Sequence, residues 1–150
     1  MLNLNPNRHL LFLLFGIAVS VNYLWELLQS PFYIGMQVSA RMLGHCFLAS
    51  LGDGVMVLFI YLVSCLIFRQ QDLRKLGIFW RAAVTVLIGF IVGVIVESVG
   101  VDRLQRWTYN TLMPLLPGSD LGLIPVLQMA ILPPIIFLIT GRWMVSKSAC

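Results

Sequence analysis

Four long apolar stretches, separated by shorter polar segments, set the pattern of this chain. They cover about residues 9–30, 44–68, 82–100 and 123–140. Each stretch is long enough to cross the roughly 30 Å hydrocarbon core of a bilayer as an α-helix. Successive spans alternate in direction, so they can pack as an antiparallel bundle. The pattern predicts an all-α polytopic membrane protein, a single domain over residues 1–150 with four transmembrane helices and an outer loop at 101–122.

The composition indicates that lipid is the solvent of these helices. The chain is 59% hydrophobic and 11% charged, whereas an ordinary soluble domain has roughly 45–50% apolar and 25% charged residues. A chain of 150 residues has too much surface to bury this excess in a core. The net charge of +4 sits at the ends of the predicted spans rather than in one basic stripe. Membrane topology therefore explains the charge better than nucleic acid does, and we expect no nucleic-acid partner.

The three cysteines predict neither a disulfide framework nor a metal site. Cys46 and Cys65 fall in one predicted helix, roughly 28 Å apart at ~1.5 Å per residue, which is far beyond disulfide reach. The sequence has no Cys-x-x-Cys, no His-x-x-x-His and no four-ligand spacing. We therefore expect no metal and no cofactor.

The basic residues also predict the orientation in the membrane. With four spans, both termini and the middle loop share one side of the bilayer. That side holds seven of the ten Lys and Arg residues: Arg8, Arg69, Arg74, Lys75, Arg81, Arg142 and Lys147. The positive-inside bias therefore predicts a protein integral to the cell inner (plasma) membrane, with both termini in the cytoplasm.

A carboxylate interrupts the first span near its outer end. The preceding turns are almost entirely hydrocarbon, but Glu26 follows, with Asn22 one turn before it and Gln29 one turn after. These three residues are at i, i+4 and i+7 and so share one helix face. On insertion scales a charge at the helix centre costs about 2.5 kcal/mol or more. Glu26 therefore needs polar neighbours.

The other polar residues of the spans fall in the same outer half of the bilayer. His45 and Asp53 lie early in the second span, Glu97 near the end of the third, and Gln128 early in the fourth. An antiparallel packing would gather them around Glu26, and intramembrane carboxylates are functional hypotheses by default. The alternative is that the carboxylates are structural, paired with arginines or hydrogen-bonded by Trp and Tyr.

The outer loop holds the most distinctive sequence. It begins with Arg103 and Arg106, the arginines available to the carboxylates, and continues with Trp107 and Tyr109. Prolines and glycines farther along predict a shaped lid rather than a flexible linker. The two aromatic residues fit either a headgroup anchor or a wall against which a ligand packs. Such a lid over a polar cavity would control access from the outer leaflet.

Several short motifs resemble those of a known group. They are Trp25-Glu26, Gly52-Asp53, Glu97, Arg106-Trp107-x-Tyr109-x-x-x-Met113-Pro114 and Gly122-Leu123-x-Pro125-x-Leu127-Gln128. Together they resemble a family of small prokaryotic four-span integral membrane proteins of uncharacterised function, which implies the same architecture but no reaction. The segment from Glu26 to Tyr33 is also loosely similar to one segment of the sterol-isomerase-like four-helix family. That similarity implies only a type of site, acidic residues in a membrane cavity that takes sterol-like ligands.

The preferred function hypothesis is binding, or acid/base conversion, of an amphipathic ligand such as an isoprenoid or a lipid. Glu26, Asp53 and Glu97 are the predicted acids, and His45 is the predicted proton partner. The predicted ligand contacts are Asn22, Gln29, Arg106, Trp107, Tyr109 and Gln128.

Two other function classes stay open. A non-catalytic accessory subunit or assembly factor of a larger membrane complex would use the small-residue strip Thr85, Gly89 and Gly93 as a contact surface. Proton-coupled transport would need an oligomer, because four spans are few and the inner half lacks polar residues. The expected partners are membrane lipids, with a homo-oligomer or a larger complex as the alternative.

Overall fold

Four long helices pack against one another, which confirms the predicted all-α membrane bundle. The computed structural model describes residues 8–68 and 77–147. The helix bounds are α1, Arg8–Gln29; α2, Ala40–Phe68; α3, Ile78–Ser98; and α4, Leu123–Lys147. A short 3-10 turn, Ser30–Phe32, extends α1, and a π-helical turn, Val99–Arg103, extends α3.

Three of the helices extend beyond the predicted spans. α2 begins at Ala40 and α3 at Ile78, each four residues before its predicted span, and α4 continues past residue 140 to Lys147. Apolar composition marks the part of a helix that crosses hydrocarbon, whereas backbone hydrogen bonding continues into the interface. The basic residues Arg69, Arg74 and Lys75, which carry much of the predicted orientation, lie outside the described residues.

One face of α1 is directed into the bundle. Its buried residues are Leu14, Ala18, Asn22 and Gln29, spaced by four or seven positions along one side of the helix. Pro31 ends the α-helical hydrogen bonding because it has no backbone N–H and its ring crowds the preceding turn. The chain continues from there as the 3-10 turn.

Helix α3 packs closely on α4 through a strip of small residues. Thr85, Gly89 and Gly93 recur every four residues and are buried. A methyl group added to Gly89 would collide with the backbone carbonyl of Met129 on α4. The absence of a side chain therefore allows the two backbones to approach, as small-residue strips do in membrane bundles.

The outward faces of the helices carry large apolar side chains that the protein itself does not cover. Examples are Phe12 and Leu24 on α1, Leu62 and Leu66 on α2, Leu87 and Ile91 on α3, and Ile135 and Leu138 on α4. All four helices are long and apolar enough to cross a bilayer. Exposure of this kind on every helix is stable in lipid, because a helix satisfies nearly all of its backbone groups internally. The chain is an integral membrane protein.

The two connections between α1 and α2 and between α3 and α4 meet at one end of the bundle, which we call the loop end. The backbone N–H of Ile34 donates to the carbonyl of Thr108 at 3.0 Å, and that of Asn110 donates to Phe32 at 2.9 Å. The longer connection, residues 104–122, thus lies across the shorter one. The loop end is where the predicted polar residues converge.

Candidate functional site

A cavity of about 370 Å³ lies inside the bundle at the loop end. All four helices and both connections contribute to its wall. Its polar lining includes Glu26, Gln29, His45, Asp53, Glu97, Arg106, Trp107 and Gln128. Its apolar lining includes Leu48, Met56, Val96, Pro125 and Met129. The volume is at the lower end of the ~300–1,000 Å³ typical of small-molecule sites, and the mixture of walls suits an amphipathic occupant.

A fully buried glutamine joins three helices beside this cavity. The side-chain amide of Gln128 on α4 donates to Asn22 Oδ1 on α1 at 2.8 Å and to Asp53 Oδ2 on α2 at 2.9 Å. Its Oε1 accepts from Gln29 Nε2 at 3.2 Å. Both N–H groups and the oxygen of Gln128 are therefore used, which fixes the orientation of its amide.

A second amide, Gln29, is fixed in the same way. Its Nε2 donates to Glu26 Oε1 at 2.6 Å as well as to Gln128, and its Oε1 accepts from Trp25 Nε1 at 3.1 Å. Trp25, Glu26 and Gln29 are three or four residues apart on α1, so the helix itself brings them together. The side-chain amide of Asn22 donates to the carbonyl of Ala18 one turn earlier, at 2.8 Å.

Glu26 and Asp53 form a pair of acids inside this network. They come from neighbouring helices, and the two glutamines that donate to them, Gln29 and Gln128, are bonded to each other. Each uses one oxygen to accept from a glutamine amide. Among the described residues, neither acid has a buried oxygen that lacks a hydrogen-bond partner. Both residues line the cavity, so their carboxyl groups border the space for an occupant.

Glu97 has a different environment from that pair. It is buried at the end of α3, and its Oε1 accepts from Trp107 Nε1 at 3.1 Å and from the hydroxyl of Tyr109. The same hydroxyl accepts from the backbone N–H of Gly122 at 3.0 Å. Burial, followed by the hydrogen bond to Glu97, raises the pKa of Tyr109, so the phenol stays protonated and donates. Glu97 thus attaches the long connection to the bundle.

A glycine makes room for this attachment. A methyl group added to Gly100, in the π-helical turn after α3, would collide with the indole ring of Trp107. The chain reverses direction here, and the backbone N–H of Arg106 donates to the carbonyl of Gly100 at 2.9 Å. The indole can therefore lie against the end of α3 and reach Glu97.

The structure brings the predicted residues together in two groups and leaves two of them at more exposed positions. Asn22, Glu26, Gln29, Asp53 and Gln128 form the amide network, while Glu97, Trp107 and Tyr109 form the attachment of the loop. His45 and Arg106 also line the cavity, but their side chains are exposed.

The carboxylates were also given two structural roles, hydrogen bonding by Trp and Tyr and pairing with arginine, and the structure contains the first. Hydrogen bonding by Trp and Tyr is found at Glu97. Pairing with arginine is not found: in residues 8–68 and 77–141, neither Arg103 nor Arg106 has a nitrogen within 4.0 Å of a carboxylate oxygen. The acids at the cavity are instead held by uncharged donors.

Two residues of the site were not predicted. Trp25 orients Gln29, and its position four residues earlier on the same helix could have indicated this contact. Tyr33 lines the cavity, and its ring lies 5.7 Å from that of Tyr109, centroid to centroid. Burial raises the pKa of Tyr33 well above its ordinary value. Helical spacing gives no signal for this contact, because it depends on how two connections fold over each other.

Comparisons with models of protein families, with curated proteins and with solved structures gave no match for this chain.

Proposed function

We propose that the protein binds an amphipathic, isoprenoid- or lipid-like molecule in the cavity at the loop end and converts it by proton transfer. One observation carries the proposal: Glu26 and Asp53, from different helices, line the same partly apolar cavity and are held by neutral amides. An ion pair with arginine would neutralise the carboxylates and leave them less available to a bound ligand. Amide donors orient the acids and leave one oxygen of each available.

The proposed chemistry is general acid–base catalysis by the pair. One carboxyl group gives a proton to the ligand while the neighbouring carboxylate removes one from it, so the ligand is isomerised without gain or loss of atoms. This balance requires no oxidant, reductant or cofactor. His45 and Arg106, at more exposed positions of the cavity wall, would contact the ligand beyond the acid pair. Glu97 would position the loop, since both its donors come from that loop.

The proposed location is the inner (plasma) membrane, and the proposed partners are its lipids. The bias of Lys and Arg towards one side of the bilayer supports the inner (plasma) membrane of the cell, with both termini in the cytoplasm. The loop end and its cavity would then be in the outer half of that membrane. Membrane lipids would be the source of the ligand.

The test compares three substitutions that each remove a carboxylate. Glu26→Gln and Asp53→Asn change the acid pair. Asp102→Asn is the control, because Asp102 is exposed, does not line the cavity and, among the described residues, accepts only from Ser98 Oγ, at 3.2 Å. Each protein is purified in mild detergent, and the lipids extracted from it are identified by mass spectrometry.

We expect the unmodified protein and Asp102→Asn to carry the same amphiphile in stoichiometric amount. The two pair variants should accumulate normally in the membrane and carry either none of it or only its unconverted isomer. Pair variants that are indistinguishable from the control would refute the proposal. A stoichiometric larger protein in place of bound lipid would favour the accessory-subunit hypothesis instead.

A further inference from the structure

Exposed residues that line the cavity indicate an opening at the side of the bundle, between α2 and α3. His45, Leu48 and Gly52 lie at i, i+3 and i+7 on one side of α2, and each of them both lines the cavity and is exposed. The opposite wall of this opening is formed on α3, where Val96 lines the cavity. Gly52 lies seven residues beyond His45, which places it roughly 10 Å deeper along the helix. The opening therefore extends from the loop end into the hydrocarbon region.

Helix packing around α2 explains why the opening lies on this side. Gly54 faces α1 so closely that an added methyl group would lie 2.8 Å from Val19. The α2–α3 pair packs less extensively than the α1–α2 and α3–α4 pairs. At the other end of the bundle, however, the guanidinium of Arg81 lies over the ring of Phe68, 5.3 Å from its centroid. The two helices thus meet away from the loop end and leave a gap beside the cavity.

The loop end itself offers a more obstructed route. The long connection is bonded to the short one through the Ile34–Thr108 and Asn110–Phe32 backbone pairs. In addition, the side-chain amide of Asn110 donates to the carbonyl of Pro31 at 2.6 Å. Access through the loops would require these bonds to break. Access between α2 and α3 requires none of them to break.

The size and charge of the cavity restrict what can use the side opening. At about 370 Å³, the cavity is small for a complete lipid, so the remainder of a long chain must lie outside it. Three carboxyl groups line it, against one guanidinium, that of Arg106. This balance disfavours a phosphate head and favours a hydroxyl, which can both donate to a carboxylate and accept from a protonated carboxyl group.

We infer that a single-chain isoprenoid alcohol enters the cavity from the bilayer through the gap between α2 and α3, with Gly52 at the deep edge of that gap. This inference rests on the proposed function and names its substrate class and its route. The hydroxyl reaches the Glu26–Asp53 pair, while the rest of the chain lies between Leu48 and Val96 and continues into lipid.

A bulky residue at Gly52 tests the route. An added methyl group at Gly52 has no heavy atom within 4 Å, so the backbone there has room for a side chain, and Gly52→Phe places a ring at the opening. Gly44→Phe is the matched control, because Gly44 is also exposed on α2 with free space around it but does not line the cavity. The probe is a farnesol analogue with a photoreactive diazirine on its chain, added to liposomes that contain the protein. Crosslinked peptides are identified by mass spectrometry.

We expect the probe to label cavity peptides of the unmodified protein and of Gly44→Phe, and to label Gly52→Phe at least tenfold more slowly. Equal labelling of Gly52→Phe would overturn the side route while leaving the proposed function in place. Failure to label cavity peptides in the unmodified protein would overturn both.

A second pair of variants gives a readout that does not depend on tolerance of a phenylalanine. Leu48→Ala widens the opening, and Leu66→Ala, on the same helix, is the control; the two leucines are 68% and 65% exposed. The first variant should be labelled several-fold faster than the second. Equal rates would also overturn the side route.

Discussion

Replacing Gln128 by leucine would test how much the amide network contributes to the stability of the bundle. The substitution removes three interhelical hydrogen bonds, to Asn22, Asp53 and Gln29, at 2.8, 2.9 and 3.2 Å. Such bonds in membrane proteins average about 0.6 kcal/mol each, with a maximum near ~1.7 kcal/mol. A buried polar group left without a partner costs roughly 1–3 kcal/mol. Asn22 Oδ1 becomes such a group, whereas Gln29 and the cavity-facing Asp53 keep other contacts.

These contributions predict that Gln128→Leu lowers the free energy of unfolding by about 2–4 kcal/mol. The control is Thr140→Val on the same helix, because buried Thr140 donates only to the carbonyl of Ile136 in its own helix, at 2.7 Å. Reversible unfolding of both variants by SDS in mixed micelles, followed by far-UV circular dichroism, gives the comparison. A loss below about 0.5 kcal/mol for Gln128→Leu, or one no larger than that of Thr140→Val, would show that the network does not stabilise the bundle.

Two further predictions concern the helix contact and the loop. Gly89→Leu places a side chain against the backbone of Met129 and should lower the free energy of unfolding in SDS by at least about 3 kcal/mol. Gly16→Leu is the control, because there is free space around Gly16, and should leave the stability nearly unchanged. For Tyr109, the raised pKa means that unfolding releases a proton above about pH 10, so stability falls as pH rises through this range. In the same assay, Tyr109→Phe should reduce the loss of stability between about pH 9 and 11.5. It should also speed hydrogen exchange in residues 104–122. An unchanged pH profile would show that Tyr109 is not the group responsible.

The architecture was predictable because a bilayer imposes a simple requirement on the chain. Spans must be apolar over about 20 residues and must satisfy their own backbone groups, so composition alone marks them. The helix ends were less predictable. α2 starts at Ala40 and α4 reaches Lys147 because helical hydrogen bonding continues outside the hydrocarbon, where apolar composition no longer reports on it.

Part of the candidate site followed from helical spacing and topology. The spacing of Asn22, Glu26 and Gln29 predicts one face of α1, and antiparallel packing predicts that Asp53 and Gln128 reach it; the structure has both. The partners of the acids could not be predicted in the same way. Arginine and amide donors were both available in the sequence, and only the three-dimensional packing decides between them.

The contacts of the outer loop could not be predicted from the sequence. Trp107 and Tyr109 were predicted as either headgroup anchors or ligand contacts, yet both donate to Glu97. This contact depends on the reversal of the chain at Gly100 and on the space that a glycine leaves for an indole ring. No periodic pattern encodes such a turn.

The three acids were predicted to have the same role, but the structure places Glu97 in a different environment from Glu26 and Asp53. Glu97 accepts two hydrogen bonds from the loop, and a neutral glutamine there could still accept them through its amide oxygen. Glu26 and Asp53 each accept from one amide and line the cavity, where the proposed chemistry requires them to gain and lose a proton. A single isosteric change therefore has different consequences at the two places. At Glu97 it preserves the attachment of the loop, whereas at the pair it removes the proposed chemistry while the surrounding amides continue to hold the helices together.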